Sequence, residues 1–170
     1  MKLKYLAILV LYLISFSAFG CSCAPYSKDP SEAVLEAYSS STAVVLATAE
    51  SIEKVKTTNP WGKGEVDSYE YDVEITHFIS LRSWKGSHGK NFYTRIITNC
   101  CMCGLKFTEE ETYLLYLDGP HDNGYYSTST CSRTVNLERA ETDIKILDAL
   151  TPDQLVKWKA RPKIVNEDLF

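Results

Sequence analysis

Beyond residue 20 the sequence has no apolar run long enough to cross a bilayer, which takes about 20 residues. It has no dense Lys/Arg cluster either. With 18 Lys and Arg against 22 Asp and Glu, the formal net charge is −4. That balance argues against a nucleic-acid partner or an anionic membrane face. Internal repeats, low-complexity stretches and linker-like segments are also missing. Metal-ligand spacing is thin. Cys100 and Cys103 form a CxxC, but no second CxxC or HxxxH completes four ligands, and His77, His88 and His121 are scattered. No metal held by the protein alone, and no cofactor, is therefore expected. Nucleophile–base pairs are equally hard to find: Ser22, Ser127 and Ser129 have no adjacent His. Glu109, Glu110 and Glu111 read as a solvated turn. The chain is not expected to be an enzyme.

The N-terminus carries the clearest positive signal. Lys2 and Lys4 precede an apolar run from Leu6 to Ile14, and Ala18-Phe19-Gly20 puts small residues at the two positions that a signal peptidase reads. Residues 1–20 are expected to be a removable export signal, with a membrane-anchoring helix as the competing reading. The apolar run is short for a span, and no basic stop-transfer cluster follows it. Two lysines leave with the signal, so the remainder is more acidic still. Residues 21–170 suit one domain of about 100–200 residues. All six cysteines, Cys21, Cys23, Cys100, Cys101, Cys103 and Cys131, lie in it. An even count behind an export signal implies disulfides, whose connectivity spacing alone leaves open.

Hydrophobic periodicity gives the expected elements. Asp29 is a candidate N-cap for a short amphipathic helix over 31–38. Ala43–Val55 reads as a strand long enough to bend, and Thr57–Gly64 as a turn or exposed loop. Tyr69–Ile79 alternates, with Tyr69, Tyr71, Val73 and Ile75 on one face and Glu70, Asp72, Glu74 and Thr76 on the other. Phe92–Thr98 is a third strand. Thr112–Leu117 is apolar on both faces and so central. Asp118–Gly124 is a hairpin connection, and Tyr125–Thr130 a fifth strand. Leu137, Ala140, Ile144, Leu147 and Leu150 then recur at helical spacing, and Thr151 opens a further helix through Trp158, before a polar tail from Arg161. The expected class is mainly β with flanking helices: a small closed barrel of five strands, of which the Greek-key OB form is the commonest.

Function enters through Cys21-Ser22-Cys23-Ala24-Pro25 at the new N-terminus, Cys103-Gly104-Leu105 followed by Tyr113-Leu114-Leu115-Tyr116, and Cys131-Ser132-Arg133. This set resembles the tissue inhibitor of metalloproteinases family and its netrin-like relatives over residues 21–150, with 151–170 left as a C-terminal helix and tail. The resemblance implies a disulfide-bonded five-stranded OB barrel with Cys21 paired to Cys103 and Cys23 to Cys131. In the chain-entropy picture, each such long loop contributes on the order of 3–5 kcal/mol. The chain departs from the family in having no Cys in SEAVLEAY. Cys100 and Cys101 are then left to form a vicinal disulfide, stay free, or bridge two chains.

The resemblance also implies a mechanism and a partner, a zinc metalloendopeptidase. The peptidase zinc keeps one position open for water. The α-amino nitrogen and carbonyl oxygen of Cys21 would chelate it and displace that water. Ser22 would enter the pocket beside the metal, and Cys23, Ala24 and Pro25 would lie along the cleft like a substrate. An α-amino pKa of about 8 means that binding releases a proton and weakens in acid. Disulfide-imposed rigidity lowers the ordering cost. The competing class is a non-inhibitory extracellular netrin-like interaction module, in which the same bonds only staple the N-terminus to the barrel. A further alternative is a bacterial lipoprotein lipidated at Cys21, although Ala18 and Phe19 depart from that pattern; lipid would block the amine and supply the only membrane contact. The expected location is secreted, extracellular or periplasmic, or membrane-anchored if lipidated.

Other features have bland readings. Tyr69, Tyr71, Tyr125 and Tyr126 are candidates for a base-stacking face, but Glu70, Asp72 and Glu74 oppose it, and strand core or surface is expected. Trp84-Lys85-Gly86 reads as a strand end with a packed indole. Arg133 is expected to salt-bridge the terminal helix.

Overall fold

The computed structural model describes residues 21–60, 68–99 and 103–159. The segment 1–20 expected to be an export signal, the end of the Thr57–Gly64 loop, Cys100 and Cys101, and the tail from Arg161 lie outside those residues. Among the described residues, no helix is long and apolar enough to cross a membrane.

Helix α1 spans Pro30–Ser40. Asp29 caps it, its side chain accepting the Glu32 backbone N–H at 2.9 Å, and Pro30 opens the first turn, where its missing N–H costs nothing. Ala33, Val34 and Ala37 are its buried face. The strands follow as β1 (Ala43–Thr57), β2 (Tyr71–Lys85), β3 (Asn91–Ile97), β4 (Thr112–Leu117) and β5 (Val135–Asn136). They form one five-stranded antiparallel sheet in the order β3-β2-β1-β4-β5. A 3-10 turn at Leu137–Arg139 leads into α2 (Glu141–Ala149), and α3 covers Pro152–Lys159.

β1 pairs with β2 from Val44 to Thr57, with register shifts after Val44, Leu46 and Ala49, while β4 accompanies it only from Ala43 to Thr48. Such shifts kink a strand and increase its twist. β4 is an interior strand between β1 and β5, buried on both faces from Tyr113 to Leu117. The two faces carry different cores. Ala43, Val45, Ala47 and Ala49 leave room for an aromatic cluster, in which Phe78 stacks on Phe92 (5.4 Å) and meets Phe107 edge-on (4.9 Å). On the other face Val44, Leu114 and Tyr116 pack under Val34, Ala37, Ala140 and Leu147 of the helical layer.

In β2, Val73, Glu74, Thr76 and Phe78 are all buried while Ile75 is half-buried, so burial is not confined to one face of the alternation. The Phe78 ring belongs to the aromatic core. Two expectations need correction. The fifth ladder strand is Val135–Asn136, not Tyr125–Thr130. The latter segment touches its neighbours only through single bridges, Tyr126 to Thr94 in parallel, Ser127 to Asp118 and Ser129 to Gly104 in antiparallel. Its Ser and Thr side chains compete for the backbone. The Thr128 hydroxyl donates to the Tyr116 carbonyl (3.0 Å), the Ser132 hydroxyl to the Ser129 carbonyl (2.8 Å), and the Ser129 hydroxyl accepts from the Cys131 N–H (3.2 Å). The hydrogen-bonded ladders therefore leave the sheet open where a closed barrel was expected.

Candidate functional site

The N-terminal segment is held from both ends. Cys21 is bonded to Cys103 and Cys23 to Cys131, with Cα–Cα distances of 5.8 and 5.1 Å. Further along, the Tyr26 hydroxyl donates to the Cys131 carbonyl (3.3 Å), and Ser27 gives its N–H to Glu36 (3.1 Å) and its hydroxyl to Glu32 (3.0 Å). Between these anchors, Cys21, Ser22, Cys23, Ala24 and Pro25 are all exposed. The result is a short outward-facing ridge with little freedom to rearrange.

Local chemistry explains why the two acceptor cysteines sit side by side. Gly104 lies against Ile96 of β3, and a Cβ there would stand 2.9 Å from the Ile96 Cβ. Only glycine allows this close approach. It sets residues 103–104 against 129–130, where the Thr130 N–H donates to the Cys103 carbonyl at 2.8 Å. Cys131 follows at once. The chain after it is clamped by Arg133, whose Nε and Nη2 reach Asp143 at 2.6 and 2.8 Å. The terminal helix was the expected partner; the ion pair is made with α2, the helix before it. Asp143 is only 4% exposed and also accepts from the Tyr116 hydroxyl (3.2 Å). Burial pushes the Tyr116 pKa well above its usual range, with the Asp143 charge adding to the effect. Burial also raises the Tyr26 pKa, with Arg133 opposing and Glu36 assisting.

The other singled-out residues are dispersed. The Trp84 indole donates to Asp148 (2.7 Å), and Arg82 lies over its ring at 4.7 Å. Tyr125 and Tyr126 are buried and Tyr69 is exposed, so the four tyrosines share no open face. Glu109 accepts from the Ile52 N–H and Glu111 from the Tyr113 hydroxyl; all three glutamates of the turn are exposed. Among the described residues no group of three or more His, Cys, Asp or Glu could hold a metal ion.

Sequence reasoning missed two arrangements. Asp143 follows Ala140 by three and precedes Leu147 by four, which places an acid inside the apolar stripe of α2; that position was the available signal. His121 and Ser127 were passed over because they are not adjacent in sequence. The turn between them brings His121 Nε2 to 2.9 Å from Ser127 Oγ. No family model matches the chain, and no curated protein matches it.

Proposed function

We propose that this is an exported inhibitor of zinc metalloendopeptidases that acts through Cys21. The observation that carries the reading is the exposed Cys21–Pro25 ridge pinned by two disulfides. Once residues 1–20 are removed, the ridge begins with a free α-amino group beside its own carbonyl, a bidentate nitrogen–oxygen donor for a zinc with one open position. Ser22 then faces the pocket next to the metal, and Cys23, Ala24 and Pro25 occupy the cleft. The bonds hold this shape before binding, which reduces the ordering cost. Disulfides of this kind also fit an oxidising compartment, secreted or periplasmic.

The same reading takes the sheet as an OB-type barrel left partly open, with residues 125–129 lying across the gap outside the five ladder strands. Support comes from the single bridges of that segment to β3 on one side and to the end of β4 on the other.

The test compares mature protein starting at Cys21 with a version carrying one extra Ala before it. Inhibition of at least one zinc endopeptidase by the first, and its near-complete loss in the second with both disulfides retained, is the expected result. Equal inhibition by both rejects the chelation mechanism. No inhibition across a broad panel assigns the protein instead to the netrin-like interaction modules, and a lipid found on Cys21 assigns it to the lipoproteins.

A further inference from the structure

A cavity of about 610 Å³ opens beside the Cys21–Cys103 bond, between β3, the end of β4 and the 125–132 segment. That size falls within the range of small-molecule sites. It exists because the 125–129 segment meets its neighbours by single bridges and not by a full ladder. Its apolar wall includes Ile96, Ile97 and Leu117, all buried.

Its polar lining includes Arg95, His121 and Ser127. Arg95 is the informative residue. Its Nε is buried and has no hydrogen-bond partner. An unpartnered buried donor on a charged group is costly, more so than on a neutral one. Among the other described arginines, Arg139 is exposed and the remaining two are paired. Arg133 is matched to Asp143 and Arg82 to Asp148. Arg95 faces Tyr125, whose ionisation it favours against the effect of burial. The carboxylate on this cavity is Asp118, an exposed residue. His121 and Ser127 already hydrogen-bond each other, and a hydroxyl so placed can still turn a lone pair or proton towards a ligand.

We infer that this cavity is a binding site for a small organic oxyanion, a carboxylate or phosphate ester on an apolar body, with the Arg95 guanidinium as its counter-ion. The planar guanidinium suits a forked contact with either head group. Ile96, Ile97 and Leu117 take the apolar body, and His121 and Ser127 supply a hydrogen bond at its edge. Cys21 is not among the residues that line the cavity, so cavity occupancy and peptidase inhibition are read out separately.

Phenylacetate, phenyl phosphate and the neutral benzyl alcohol serve as probes, titrated into isotope-labelled full mature protein and followed by amide chemical shifts. At least one anion should shift resonances of residues 95–97 and 125–129, and bind at least about tenfold more tightly than benzyl alcohol. The tighter of the two anions distinguishes a carboxylate site from a phosphate site. Arg95→Gln should weaken that anion by about tenfold or more while leaving benzyl alcohol unchanged. Three results overturn the inference: neither anion shifts these residues, benzyl alcohol binds as well as both anions, or Arg95→Gln binds the anion as wild type does. The comparison of charged and neutral probes on the unmodified protein decides the matter even if the variant fails to fold.

Discussion

Asp143→Ala tests how the site is braced from beneath. The wild-type carboxylate is 4% exposed and takes two contacts from Arg133 and one from Tyr116. Removing it leaves a guanidinium and a buried phenol hydroxyl without their acceptor. Breaking a buried ion pair from one side costs about 3–5 kcal/mol. The Arg133 side chain is 26% exposed, so water can recover part of its solvation, and the lower end applies. The stranded Tyr116 hydroxyl adds about 1 kcal/mol. The expected loss is therefore about 3–4 kcal/mol, or roughly 6–15 °C in midpoint for a domain of this size. Urea unfolding followed by far-ultraviolet circular dichroism, with the disulfides intact, measures it. The double variant Arg133→Met/Asp143→Leu should be less destabilised than Asp143→Ala alone, because it strands no charge. A loss under about 1 kcal/mol for Asp143→Ala, or a double variant at least as unstable, would refute the reasoning.

Two further predictions concern the same framework. Gly104→Ala should cost about 1–3 kcal/mol, since its Cβ would press on Ile96 and shift the strand that presents Cys103; unchanged stability in urea would contradict the close-approach argument. Stability should also fall as pH rises past about 10, the ordinary tyrosine pKa. Burial raises the folded-state pKa of Tyr116, so the unfolded chain loses its phenolic proton first and alkali favours unfolding. Tyr116→Phe should show a shallower decline between pH 9 and 11, without abolishing it, because Tyr26, Tyr38, Tyr113, Tyr125 and Tyr126 are raised by burial as well. An identical slope in the variant would count against it.

Strand positions were largely legible because β1 and β4 are marked by apolar residues and bounded by turns. Thr112–Leu117 is found as expected, and α1 begins at the residue after its forecast cap. Alternation in β2 left open which face turns inward, and burial falls on Val73 as well as on Glu74, Thr76 and Phe78. Periodicity failed at Tyr125–Thr130, where composition suits a strand but hydroxyl side chains capture the backbone. The disulfide pairs were not readable from spacing; the resemblance implied them, and both are present. Arg95 was invisible because its meaning lies in the absence of a partner across a gap between elements far apart in sequence.

The central claim is that the Cys21 amine and carbonyl chelate the peptidase metal. The most direct measurement replaces zinc by cobalt in a susceptible endopeptidase and records the visible spectrum on adding mature protein. Protein beginning with a free Cys21 should change the cobalt bands at one equivalent, and the Ala-extended form should not. Full inhibition with an unchanged cobalt spectrum would place the inhibitory contact elsewhere on the surface and contradict the account.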